Sequence, residues 1–284
     1  MTSLSRLRPW ILSSPGIFLF FCMLVLPLVL TAVLSFNVFD HVTGIKNQLT
    51  LEHYVTVLTD SYYNGIFWRT LWISALTALL CLLIGVPEAY ILSRMSNPWK
   101  SIFLLVLLAP LLVSVVVRSF GWSILLGPQS VLHNLFAALG VGPIKLLYTE
   151  SAVIIALVHV MLPFMVIPVW TSLQKLDPEV QNAALSLSAP PLTTMRRIIL
   201  PQIMPGILSG SLIVFGLSAS SFVIPGLLGG RRLKVVATIV YDEYMHELNW
   251  PFGAAVALIL LTVNLLIMVT YNRMVEGRYK KSIG

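Results

Sequence analysis

Six apolar runs, each long enough to cross a hydrocarbon core, leave this 284-residue chain little choice of solvent. A bilayer core of roughly 30 Å takes about 20 residues of helix. Runs of that length lie near 15–36, 70–92, 102–122, 151–173, 206–228 and 251–271. Unpaired backbone groups are not tolerated in lipid, so each run is expected to be helical. A transmembrane β-barrel does not fit, because its strands alternate in polarity and these runs are solidly apolar. Composition agrees: 57% of residues are hydrophobic and only 10% charged, whereas a soluble domain carries about a quarter charged. The expected fold is all-α, a polytopic membrane bundle with six transmembrane helices.

Lys and Arg set the orientation. With both termini in the cytoplasm, Arg6, Arg8, Arg94, Lys100, Lys175, Arg196, Arg197, Arg273, Arg278, Lys280 and Lys281 fall on inner segments, eleven of the eighteen basic residues. The first run is too long for a signal-peptide core and no small-residue cleavage site follows it, so it is read as a retained span. The net charge of +7 is then mainly a topology signal. Nucleic-acid binding is excluded, since the basic residues are scattered over short loops with no basic helix or aromatic platform. Cys22 and Cys81 fall inside spans and serve as small hydrophobes, without metal-ligand spacing.

The connections are unequal. Asn37 to Arg69 forms an outer segment, and Met95 to Ser101 a tight inner turn carrying Asn97-Pro98. Ser123 to Glu150 is amphipathic through Leu132, Leu135, Phe136 and Leu139, which fits either a surface helix or a packed cap. The one sizeable polar, helix-prone island runs from Leu176 to Pro201. Asp177 can cap a helix there, with Pro178 at its first position and Glu179 beside it. Leu176, Val180, Ala183, Ala184 and Leu187 recur at helical spacing, giving a narrow face with small residues at its centre. Ala189-Pro190-Pro191 must interrupt that helix, and a second piece follows from Leu192 to Leu200. Periodicity alone leaves two readings open: a docking element for a soluble protein, or a connector lying on the inner leaflet and anchored by Arg196 and Arg197.

Asn182-Ala183-Ala184, Ser188 and Ile198-Ile199-Leu200-Pro201, followed by Met204-Pro205-Gly206, resemble the "EAA" loop of the inner-membrane permeases of binding-protein-dependent type I ABC importers. That pattern runs Glu-Ala-Ala, three residues, Gly, then about nine residues to an aliphatic-x-Leu-Pro ending. This chain departs from it twice, with Asn182 in place of Glu and Ser188 in place of Gly. The likeness covers roughly residues 65 to 275. Arg118-Ser119-Phe120-Gly121-Trp122, Leu162-Pro163-Phe164-Met165, Phe222-Val223-Ile224-Pro225-Gly226 and Asn249-Trp250-Pro251-Phe252-Gly253 are similar to the spermidine and putrescine subgroup.

The resemblance implies a type I importer permease fold. Its core would span 65–275, between an N-terminal part (1–64) and a tail (276–284), with a cytoplasmic coupling loop at 174–205. It also implies a second homologous permease, two ATPase subunits inside and a solute-binding protein outside. ATP and Mg would be bound by the ATPase partner, because this chain has neither a G-x-x-x-x-G-K-[ST] loop nor a G-x-G-x-x-G fingerprint. Coupling would run through Asn182, Ala183, Ala184, Ser188, Leu200 and Pro201.

Polar groups inside spans are the candidates for a solute path, because lipid makes them costly. Arg118, Trp122, Ser218, Ser220, Ser221 and Phe222 form that set. The serines suit helix packing better than a path, and Arg118 suits snorkelling at the interface as well as it suits a vestibule. The related subgroup often carries an acidic residue near the serines, where this chain has hydroxyls. Glu88 is expected to pair at the cytoplasmic rim, and His159 to hydrogen-bond a neighbouring helix. Asp242, Glu243 and Glu247 read as a solvated acidic face. A self-sufficient secondary transporter or channel is the alternative, and the docking character of the inner loop argues against it. An intramembrane hydrolase lacks a supporting G-x-S-x-G or H-E-x-x-H arrangement.

Overall fold

The computed structural model describes residues 4–138, 145–177, 179, 186, 188, 190–230 and 232–283. Helix α1 (Leu4–Leu34) is followed by a hairpin of β1 (Asn37–Asp40) and β2 (Gly44–Leu49), then by α2 (Glu52–Thr59) and α3 (Ser61–Arg94). Next come α4 (Trp99–Leu112), α5 (Val115–Leu126), α6 (Val131–Ala138) and α7 (Glu150–Gln174). Short pieces α8 (Pro191–Thr194), a π-helical turn (Met195–Ile199) and α9 (Leu200–Gln202) lead into α10 (Met204–Ala219), α11 (Val223–Leu228), α12 (Val236–Met245) and α13 (Trp250–Ile283).

Five stretches among the described residues are long and apolar enough to cross a membrane: Ser13–Leu34, Ser61–Arg94, Val115–Leu135, Glu150–Gln174 and Trp250–Met274. Met195–Gln202 with Met204–Ala219, bent by 63°, makes a sixth when taken as one span.

Two of the six expected runs are broken. The run near 102–122 divides between α4 and α5 at Val113-Ser114. Pro110 removes a backbone donor there, and the β-branched Val113, Val115, Val116 and Val117 weaken the helix around Ser114, the non-helical residue from which α5 starts. The run near 206–228 stops at Ala219 and resumes at Val223. Ser220 Oγ donates to the Gly216 carbonyl at 3.0 Å, a local bond that competes with helix continuation. Pro225 then falls in the first turn of α11, where a missing N–H costs little.

The chain divides into two compact units, Met1–Asn64 with Ile239–Leu261 and Gly65–Thr238 with Thr262–Gly284. The first holds a feature the apolar pattern does not announce, an antiparallel hairpin pairing Asp40 with Gly44. Asp40 Oδ1 accepts from the Val42 N–H at 2.8 Å, and its Oδ2 from Lys46 Nζ at 2.5 Å. The Lys46 ammonium, with the turn amides, holds this carboxyl below the usual carboxylate range. Gly44 takes φ +77°, the left-handed position that closes the three-residue loop. His53 Nε2 lies 2.9 Å from the Asn37 carbonyl, and the His53 and Tyr63 rings both contact Phe252. Asn249 Oδ1 accepts from the Phe252 N–H at 3.2 Å, capping α13.

In the second unit α7 is the central helix. Met165, fully buried, is wedged between two glycines: a Cβ on Gly85 of α3 would lie 2.9 Å from its Cγ, and one on Gly210 of α10 would lie 2.9 Å from its Sδ. Small residues at these crossings let three backbones approach, as membrane helices do in the absence of a hydrophobic drive between them.

The Glu150 end of this bundle is tied by polar contacts. Arg69 Nε meets Glu150 Oε1 at 3.3 Å and its Nη1 donates to the Lys234 carbonyl at 3.2 Å. Buried Thr70 Oγ1 accepts from the Val236 N–H at 2.9 Å while donating to the Ile66 carbonyl at 2.8 Å. Tyr148, at φ +66°, donates its N–H to the Leu228 carbonyl, and its ring covers Gly230, which shares that φ. On α6, Leu132 packs against the core whereas Leu135 is exposed; Leu139 lies outside the described residues. At the opposite end Lys100 sits over the Trp170 ring at 5.2 Å and Arg94 over the Tyr90 ring at 5.3 Å, cation–aromatic pairs of the kind that gather at membrane interfaces.

Candidate functional site

The segment between α7 and α10 begins as the sequence predicts. Asp177 Oδ1 accepts from the Glu179 N–H at 2.9 Å, and Glu179 is helical. Asn182, Ala183 and Ala184 lie outside the described residues. Ser188 is described: it is exposed, in a turn, with φ +53°. Its backbone has taken the left-handed region that glycine enters freely and serine enters at a cost. Ser188→Gly is therefore expected to stabilise this turn by about 1 kcal/mol, read as slower hydrogen exchange at the flanking amides, whereas β-branched Ser188→Val speeds it.

The second helical piece exists, but not as one α-helix. Pro201 lacks an N–H and so cannot bond the Arg197 carbonyl, and the preceding turn has π geometry, with the Leu200 N–H reaching back to the Met195 carbonyl. Ile199 and Ile203 are 2% and 1% exposed and join the core cluster that also holds Leu173, with Leu200 partly buried against it. Leu200 and Pro201 thus sit beside the residues that anchor this segment to the bundle.

The intramembrane candidates separate into two groups. On α5, Trp122 Nε1 donates to His159 Nδ1 of α7 at 3.2 Å, the rings 5.6 Å apart and edge to face. An indole nitrogen only donates, so the imidazole offers Nδ1 as acceptor and carries its proton on Nε2. His159 lies nine residues into α7, roughly 14 Å along its axis, so this pair is well below the helix end. Arg118, one turn before Trp122, has Nε and Nη1 buried with no hydrogen-bond partner among the described residues. Those two nitrogens do not reach water.

The serines part company. Ser218 is buried, its Oγ unpartnered among the described residues; Ser220 is exposed and satisfied by its own helix; the Ser221 N–H donates to the Ser218 carbonyl at 3.2 Å in the break itself. Phe222, 41% exposed, precedes α11, which packs on α5 and α7. The break therefore adjoins the helix bearing Arg118 and Trp122 and the helix bearing His159. Among the described residues no group of three or more His, Cys, Asp or Glu is placed to hold a metal.

Glu88 departs from its expected place. Its Oε2 is buried without a hydrogen-bond partner, and no ion pair joins it to a rim cation among the described residues. Sequence reasoning set His159 and Glu88 aside because their partners, or lack of them, depend on which helices lie alongside.

The model of the family "binding-protein-dependent transport system inner membrane component" matches residues 83–280, from within α3 through most of α13. The chain belongs to that family. It is a multi-pass inner-membrane transport permease. It is 33% identical over 87% of its length to the spermidine/putrescine transport system permease protein PotB of Haemophilus influenzae, covering 87% of that protein. With PotB of Escherichia coli it shares 34% identity over 84% of this permease and 87% of the relative. Its fold is that of a chain in the crystal structure of a bacterial ABC transporter that imports alginate, with a TM-score of 0.78, 19% identity and coverage of 94% and 95% of the two chains.

Proposed function

We propose that this permease forms half of the translocation path of an ATP-driven importer for a polyamine or a related small cationic solute. Two ATPase subunits that bind ATP and Mg, a second homologous permease and an external solute-binding protein complete the assembly, with both termini of this chain cytoplasmic. The observation that carries the solute class is the relationship to spermidine/putrescine permeases over more than four-fifths of the chain. Energy enters through the 174–205 loop, in which an exposed turn at Ser188 is followed by the buried anchors Ile199 and Ile203, a layout that would carry a push into the bundle. Asn182, Ala183, Ala184, Ser188, Leu200 and Pro201 are the coupling residues in this reading, and Arg118, Trp122, Ser218, Ser220, Ser221 and Phe222 line the path. Core, N-terminal part and tail keep the bounds 65–275, 1–64 and 276–284.

Uptake by the reconstituted complex tests it. Proteoliposomes containing both permeases, the ATPase and the binding protein should accumulate labelled spermidine or putrescine only when ATP is present on the ATPase side. Equal uptake by this chain alone would instead establish a self-sufficient carrier.

A further inference from the structure

Of the eleven acidic residues in the chain, only Glu88 falls within one of the six apolar runs. A carboxylate at that depth requires a partner, because neither lipid nor apolar side chains solvate it. Its Oε2 is buried and has none among the described residues, and no salt bridge links it to Arg118, whose own Nε and Nη1 are equally unpartnered.

The position of Glu88 follows from how α3 lies along α7. Cys81 Sγ donates to the Val158 carbonyl at 3.7 Å, and a Cβ on Gly85 would stand 2.9 Å from Met165 Cγ and 3.4 Å from Val166 Cγ2. The two helices therefore run in the same direction, and one turn further along α3 brings Glu88 level with the Pro168 turn of α7. Around α3, Glu88 sits at a border: Gly85, Ala89 and Leu92 are buried on one side, while Ile84 and Ile91 are 47% and 55% exposed on the other. A buried carboxylate oxygen with no partner among the described residues, on a flank open to a neighbour, is what a passing ammonium group can use.

We propose that Glu88 is a cation-binding group of the translocation path, pairing with an ammonium of the solute. This rests on the cationic-solute reading above. It supplies from α3 the negative charge that the serines at the α10–α11 break do not.

The test uses the full complex in proteoliposomes and initial rates of labelled spermidine uptake. Glu88→Gln, which keeps the shape and removes the charge, should raise KM by about tenfold or more with a smaller change in maximal rate. Glu88→Asp should stay within about threefold of the unsubstituted complex. Uptake by the Gln variant equal to that of the parent overturns the proposal and leaves the polyamine reading standing. So does an Asp variant as impaired as Gln, or a Gln variant that fails to assemble, since either would assign the carboxylate to folding. A parent complex that imports no polyamine overturns the cationic-solute reading, and the role of Glu88 falls with it.

Discussion

Gly206→Val is expected to abolish accumulation of folded permease, and Gly206→Ala to lower its stability by about 3 kcal/mol, the upper range for inserting a methyl group into a packed crossing. The reason is what a Cβ would meet. It would lie 2.6 Å from the Pro168 carbonyl oxygen and 2.8 Å from Ser172 Cβ, with Ser172 Oγ closer still. The serine hydroxyl could rotate away, but the Pro168 carbonyl belongs to the α7 backbone and cannot. Relief requires α10 to withdraw from α7, which would also open the crossing at Gly210 and Met165. The control is Gly65→Ala on α3, where nothing lies within 4 Å of the added carbon. That change should be neutral or stabilising through helix propensity. Thermal midpoints of the detergent-purified complex decide between the two outcomes. A Gly206→Ala midpoint matching that of Gly65→Ala would show that the crossing is looser than this geometry implies.

Replacing residues 179–190 with a length-matched Gly-Ser linker should reduce copurification of the ATPase at least tenfold while leaving the permease folded. A docking segment that carries the right side chains contributes contacts, whereas a Gly-Ser linker must be ordered on binding and presents none. The replacement spares Ile199, Ile203 and the π turn, so the buried anchor survives and loss of the ATPase cannot be ascribed to a collapsed bundle. Retention of the ATPase at parental stoichiometry would remove this segment from the docking surface and with it the proposed route of coupling.

Particular residues show where sequence reasoning reached and where it stopped. Asp177 could be read as a cap because the signal is local, a short acceptor two residues before the N–H it serves. The strain at Ser188 was legible only as a departure from a family pattern. Its φ of +53° shows the chain adopting the glycine-like turn without the glycine. The hairpin at Asn37–Leu49 was missed because its strands are short and not strongly apolar, and the useful signal, an Asp and a Gly flanking a three-residue turn, is weak alone. The breaks at Val113-Ser114 and Ser220-Phe222 were hidden inside continuous apolar runs, since hydropathy does not register a change of helix direction.

The amino-acid order by itself determined that this chain is a helical membrane protein, because solvation of the backbone in lipid depends on runs of composition and not on partners. It also determined the kin of the chain, through spaced residues such as those ending in Leu200-Pro201 and Phe252-Gly253. Which polar groups are satisfied was decided only by tertiary structure. Trp122 found His159, Arg69 found Glu150, and Glu88 Oε2 found no partner among the described residues, because pairing depends on which helices stand side by side and at what depth.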